Sequence, residues 1–371
     1  MTGSAGSANG LASSAGASGS EPRGKAAFAY VGTYDNAIYV FSMDTQTGAL
    51  TPRGARVDAN PSPSFLAFAP DGKHLYAVNE EDNVDGMNAG AVSAFRIDTA
   101  SGGLTFMSRV SSRGAGPAHL TVDASGKYVL VANYNGGTVA VLPIGADGAL
   151  SAAVDTADHG SNAQTHEVVL DPSNHYLFVP NKGLSNVSQY TFDAATGQID
   201  PNTPPAVALA RGAGSRHLAF HPSAPYAYLI NELDDTMVAF SFDAAHGTLT
   251  PIQTLSTLPA GVDGSNNGTA EVQVAPSGRF VYGSNRGNDS IVIYSVDPST
   301  GLLTLVGHQP TGGATPRSFH LDVGGAIMLV ANQGANSVVT FKVDPMSGLL
   351  ERASAVTVPA PAFVGVQYQT L

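Results

Sequence analysis

One pattern returns along this chain roughly every 50 residues, and it leaves few folds open. In Thr269–Thr304 (TAEVQVAPSGRFVYGSNRGNDSIVIYSVDPSTGLLT) four short runs, Glu271–Ala275, Phe280–Ser284, Ile291–Val296 and Leu302–Val306, are separated by Pro, Gly, Asn, Ser and Asp. Those breakers supply the φ values and local side-chain hydrogen bonds that tight turns need. No window repeats apolar residues at helical spacing. The stretch reads as a four-stranded antiparallel meander.

The same meander recurs. SFLAFAPDGKHLYAVNE leads into AVSAFRIDTASGGLTFMS, AHLTVDASGKYVLVANY into TVAVLPIGADGALSAA, and RHLAFHPSAPYAYLINE into MVAFSFDAAHGTLTPI. Gly48, Gly102, Gly148, Gly197, Gly247, Gly301 and Gly348 mark successive units at intervals of 46 to 54 residues, the length of a propeller blade. The first unit, from AFAYVGTYD to TPRG, supplies only three strands, and Pro361–Val366 matches the start of every other unit. The expected fold is therefore all-β: a seven-bladed β-propeller of four-stranded antiparallel blades, its ring closed by the C-terminal strand completing the first blade. Closure removes the free edges at the two ends of the repeat array, and a monomer is expected.

Composition narrows the function classes. A net charge of −12 with only 12% charged residues argues against a nucleic-acid partner, which needs clustered Lys and Arg. No apolar run approaches a membrane span. The absence of cysteine excludes a disulfide frame, a thiolate metal site and a cysteine nucleophile. Residues 1–25 are a Gly/Ser/Ala-rich tract expected to be disordered, with the propeller domain over 26–371. That tract resembles the tether left after an export signal, which points to the periplasm or the cell exterior; a cytoplasmic location is the alternative.

In a repeat fold, shared positions build the scaffold and polar variation at one aligned position marks a site. Two columns stand out. The inner strands begin with Ser64, Ala118, His166, Arg216, Ala270, Arg317 and Ala362; after the repeating Asn (or Thr33) of the second strands come Tyr34, Glu80, Tyr134, Lys182, Glu232, Arg286 and Gln333. Antiparallel neighbours bring one strand's start beside the next one's finish, so both columns lie at one end of the central channel. His166, Arg216, Glu232 and Arg286 are the candidate catalytic residues, and Lys182 and Arg317 candidate substrate contacts. His119, His217 and Glu271, one residue further along, are secondary candidates for substrate contact; they are expected to face the other way and to be hydrogen-bonded structural residues. The repeating Asn133, Asn181, Asn231, Asn285 and Asn332 are expected to bond turn backbone. Gly-rich turns such as Asn135-Gly136-Gly137 precede no helix and are not phosphate loops. Neither a nucleophile elbow nor a metal-ligand or calcium-loop spacing occurs.

The runs GPAHLTVD, SRHLAFHP, YLINELDDTMVAFSFD, GRFVYGSNRGNDSIVIYSVD and LVANQGANSVVTFKVDP resemble the seven-bladed propeller lactonases, from about residue 28 to the end. That family holds the propeller-type 6-phosphogluconolactonases and the carboxy-muconate lactonizing enzyme. The resemblance implies a metal- and cofactor-independent hydrolase opening a small-molecule lactone. It places the family's site residues on His166, Arg216, Glu232 and Arg286, with His166 as general base and the arginines binding the oxyanion or an anionic substituent. The chain departs from the family at Gln164, where His-x-His is common, and in the acidic loop between Asn79 and Ala91. The alternative readings are a lactonizing cycloisomerase and a non-catalytic exported binding module.

Overall fold

The structure is a computed structural model that describes residues 27–368; the N-terminal tract expected to be disordered lies outside the described residues. Seven antiparallel sheets follow one another along the chain. In the meander that opened the sequence reading, the strands run Gly268–Val274, Phe280–Arg286, Ser290–Val296 and Leu303–Pro310, each paired with the next. Blades are numbered 1 to 7 below from that containing Ala27–Thr33, so this meander is blade 6. Blade 1 takes its inner strand, Pro361–Tyr368, from the C-terminus, where Ala29 pairs with Val366 and Val31 with Val364. The ring is closed as expected. The fourth strand of each blade still ends its sheet outward.

The core is divided among the seven interfaces between blades, because each blade can cover its apolar faces only with its neighbours. Phe178, Leu229, Phe240 and Phe242 fill the gap between blades 4 and 5, and Tyr282, Phe319, Met328 and Phe341 that between blades 6 and 7. Comparable clusters join every other adjacent pair, including blades 1 and 7.

The marker glycines have a physical cause. Gly301 turns between the third and fourth strands of blade 6 with φ +71°, and a Cβ there would lie 2.4 Å from the Tyr226 ring of blade 5. Its carbonyl accepts a hydrogen bond from the buried Tyr228 hydroxyl at 3.1 Å. Gly102, Gly148 and Gly348 accept the same bond from Tyr30, Tyr76 and Tyr282 of the preceding blade. The glycine lets the turn approach its neighbour, and the tyrosine pins it there.

The repeating asparagines join the end of the second strand to the segment before the inner strand. Asn133, Asn285 and Asn332 donate to the carbonyls of Ser112, Thr257 and Thr311, as expected, whereas Asn181 donates to Val179 of its own strand and to the side chains of Asn186 and Ser188. Asn231 instead donates to the Thr236 hydroxyl.

Candidate active site

A β-bulge at the start of the inner strands builds the site. In blade 5, Ser215 lies opposite Asn231 but His217 opposite Ile230, so Arg216 is an extra residue without a cross-strand partner. Arg317 is the extra residue of blade 7, Ala118 of blade 3 and Ala362 of blade 1. In blade 6 the register slips by one between Thr269 and Val272, and in blade 4 between Thr165 and Val169, the segment holding His166. Such a bulge breaks the strict alternation of faces and re-aims side chains. Two consecutive residues thereby turn inward, one to the mouth and one to the channel below it.

At the mouth, the two columns meet as expected. Glu232, at the end of the second strand of blade 5, takes three cations: Lys182 Nζ at 2.8 Å from Oε1, and Arg216 Nε at 3.0 Å and Arg286 Nη2 at 3.2 Å from Oε2. Burial raises the Glu232 carboxyl, but Arg216, Arg286 and Lys182 outweigh it and hold it down to about 2. Glu232 is thus a fixed anion. Arg216, 2% exposed, also donates to the Ala270 carbonyl, and burial followed by repulsion from Arg286 brings it down to about 9, still charged at neutral pH. Arg286 donates to the carbonyls of Gly268 and Thr269. Lys182 donates to the Tyr134 hydroxyl at 2.9 Å, and the Tyr134 ring stands edge-on to His166 with centroids 5.5 Å apart.

A second, looser group lies on the blade 1 and 2 side. Glu80 accepts from the hydroxyls of Tyr34, at 2.7 Å, and of Ser64. Arg317 stacks on the Tyr34 ring with its Nη2 only 3.9 Å from Glu80. The other acids of the Glu80–Gly90 loop point elsewhere: Glu81 to Ser62, Asp82 to Asn135 and Asp85 to Arg109.

Below the mouth, the structure corrects one expectation. His119 and His217 do not face away. His217 packs against His166 of the adjacent blade at 5.0 Å, and against His119 of blade 3 at 5.4 Å and Phe65 of blade 2 at 6.2 Å between ring centroids, the last two being contacts possible only across the central channel. Nor are they well bonded: both ring nitrogens of His217, and Nδ1 of His119 and His166, are buried without a hydrogen-bond partner. Glu271 faces the same channel, with Oε2 3.4 Å from His217 Nδ1. The alternation rule failed here because the bulge suspends it.

Sequence reasoning passed over Glu167, although it shares the column of His119, His217 and Glu271. Its Oε1 lies 3.7 Å from His119 Nε2, and Oε2 accepts the Leu218 N–H. Burial pushes its carboxyl well above the usual range. Tyr34, Tyr134 and Glu80 belong to the second column as well, and their pairing with Arg317 and Lys182 sets the shape of the mouth. Gln164 sits at a left-handed φ of 50° and gives its carbonyl to the Lys182 N–H.

Burial is the largest influence on all three histidines. It pushes His166 well below the usual imidazole range, helped by Arg216, His217, Arg317 and Arg286, and does the same to His119 and His217. All three are neutral at physiological pH. Among the described residues no group of His, Asp or Glu is arranged to hold a metal ion, and no helix is long and apolar enough to cross a membrane.

Fold and site together define the class: a seven-bladed propeller with a charged mouth at one end of its central channel. Within it, residues 28–366 match the family model Lactonase, 7-bladed beta-propeller, and the chain belongs to that family. It is 34% identical over 306 residues to the 6-phosphogluconolactonase of Bacillus subtilis (79% of this chain, 84% of the relative). To the 6-phosphogluconolactonase of Pectobacterium carotovorum it is 33% identical over 302 residues (79% and 87%). The periplasmic gluconolactonase of Pseudomonas aeruginosa superposes with a TM-score of 0.84 at 32% identity, covering 93% of this chain and 99% of that one.

Proposed function

We propose that this chain hydrolyses a sugar lactone at the channel mouth, in the manner of the relatives named 6-phosphogluconolactonase. The charge balance there carries the reading: among the described residues, Lys182, Arg216, Arg286 and Arg317 form ion pairs with two carboxylates, Glu232 and Glu80. An excess of two positive charges in a partly dry bowl suits an ester that becomes first an oxyanion and then a carboxylate. It suits a phosphorylated substrate throughout.

In this scheme a water attacks the lactone carbonyl while neutral His166 takes its proton. Arg216 and Arg286 hold the oxyanion. The tetrahedral intermediate collapses, the ring C–O bond breaks, and the proton passes to the leaving oxygen to give the hydroxy acid. Glu232, ionised down to about 2, is no proton donor at neutral pH; it orients Lys182, Arg216 and Arg286. Arg317, the most loosely paired of the four cations at 3.9 Å from Glu80, takes the phosphate, with Lys182 beside Tyr134 as a second contact. No step calls for a metal.

A second reading, an unphosphorylated sugar lactone, is favoured by the likeness to a protein named as a gluconolactonase. Steady-state hydrolysis of fresh 6-phosphogluconolactone beside gluconolactone separates the two. The phosphate-binding reading predicts kcat/KM at least about 10-fold higher for the phosphorylated lactone, one charge-assisted contact's worth. Equal rates assign the unphosphorylated substrate. Folded protein silent on both contradicts the lactonase reading and supports a binding module.

A further inference from the structure

The scheme above leaves a proton on His166, and the surroundings of that ring are hostile to it. His166 is 5% exposed and lies under the influence of Arg216, Arg317 and Arg286. Its Nδ1 has no partner, so no carboxylate backs the imidazolium. An imidazole serving as base in other enzymes commonly has such a carboxylate on its second nitrogen. Here the nearest arrangement of that kind is one layer deeper.

We propose that His217 and Glu271 form a proton-holding pair beneath His166, taking up during turnover the proton that His166 removes from water. The inference rests on the lactonase reading. The His166 and His217 rings are 5.0 Å apart at 67°, and His217 Nδ1 is 3.4 Å from Glu271 Oε2. Neither His217 nitrogen has a hydrogen-bond partner in this buried site, the Glu271 carboxylate being within ion-pair distance only, and burial without a partner is costly enough that such groups normally have a use. Phe65 and Phe363, 4.7 Å apart, wall one side of the channel.

The proton inventory closes. The attacking water gives one proton to one nitrogen of His166, and the other His166 nitrogen, once the two neighbouring rings turn into hydrogen-bond contact, gives its own to His217 Nε2. His217 Nδ1–H passes to Glu271, so the charge removed is that of the Glu271 carboxylate and no imidazolium persists. When the ring C–O bond breaks, the sequence reverses and the leaving oxygen is protonated. Glu271 is suited to hold the proton: burial, opposed by Arg216, brings its carboxyl to about 7. Glu167 is turned elsewhere, with Oε1 3.7 Å from His119 Nε2 and Oε2 on the Leu218 N–H, and burial pushes its carboxyl well above the usual range. Besides His217, the ionisable groups facing Glu271 are Arg216, His320 and Glu167. Those facing His217 are His119 and His166, with Arg216, Arg317, Arg286 and Glu232 acting from the mouth.

The test is a kcat–pH profile on a hydrolysed lactone, corrected for spontaneous opening. Only ionised Glu271 can accept, so wild-type kcat should rise with pH through about 7. Glu271→Gln, which folds because an uncharged amide suits a buried site, should lose that limb and about 10- to 100-fold in kcat with KM little changed. Glu271→Asp should restore the limb in part, and His217→Gln should behave as Glu271→Gln does. A Glu271→Gln enzyme that keeps both its limb and its kcat to within about twofold overturns the proposal. A readout independent of turnover is the 15N spectrum of His217, identified by its loss in His217→Gln. Ionising Glu271 selects the Nδ1–H tautomer, so the wild type should show a tautomer change across neutrality that Glu271→Gln lacks. No such change in the wild type overturns the pair whether or not lactone is turned over. The change seen in protein that opens no lactone supports the pair and counts against the lactone reading alone.

Discussion

Arg216 Nε lies 3.0 Å from Glu232 Oε2, one an extra residue of a β-bulge and the other the residue that follows the neighbouring strand of the same blade. The bulge frees Arg216 from pairing and turns it to the mouth, where Glu232 also gathers Lys182 and Arg286 from blades 4 and 6. One carboxylate thus ties three blades together.

That arrangement predicts an acid-sensitive stability. The fold holds Glu232 at about 2 against 4.5 for the free side chain, so it favours the ionised form. The contribution, on the order of 3 kcal/mol, is present above the unfolded value and lost as pH falls from about 4.5 through about 2. Melting temperature followed from pH 5 to pH 2 should therefore fall more steeply in the wild type than in Glu232→Gln. Parallel curves would contradict the role assigned to Glu232.

His166→Ala should leave the propeller folded, since His166 Nδ1 has no partner to lose, and reduce kcat by about 100-fold or more. Unchanged kcat with unchanged circular dichroism would remove His166 as the base.

Arg317→Met tests recognition apart from chemistry. If Arg317 grips a phosphate, KM for the phosphorylated lactone should rise about 10-fold or more while that for the unphosphorylated sugar barely moves. Equal increases on both would show that Arg317 shapes the mouth and does not read the phosphate.

Gly301→Ala probes the ring itself. The substitution forces a side chain into φ +71° and against the Tyr226 ring, displacing the turn that Tyr228 pins. A loss of about 1–3 kcal/mol in denaturant unfolding is expected. Val323→Ala, at an exposed turn position, should change stability by no more than about 0.5 kcal/mol.

Seven blades and the closing strand were legible because turn residues and marker glycines are local chemistry repeated along the chain. Pro361–Val366 declared itself as a first strand without a blade. The mouth was legible too: His166 and Arg216 stood out where other repeats carry Ala or Ser, and Glu232 and Arg286 as opposite charges in a column that varies from blade to blade. The channel layer was not. Alternation sends His217 to the face opposite Arg216, and only the one-residue register slip, which no propensity marks, brings both inward. Glu167 escaped notice for the same reason.

The central claim is that the mouth opens lactones with its arginines. The measurement that tests it most directly is steady-state hydrolysis of fresh 6-phosphogluconolactone by wild type and Arg286→Ala, with melting temperature as the control for folding. Losing both an oxyanion contact and substrate charge, Arg286→Ala should fall in kcat about 100-fold and rise in KM. A folded variant with kcat/KM within about twofold of wild type would contradict the account.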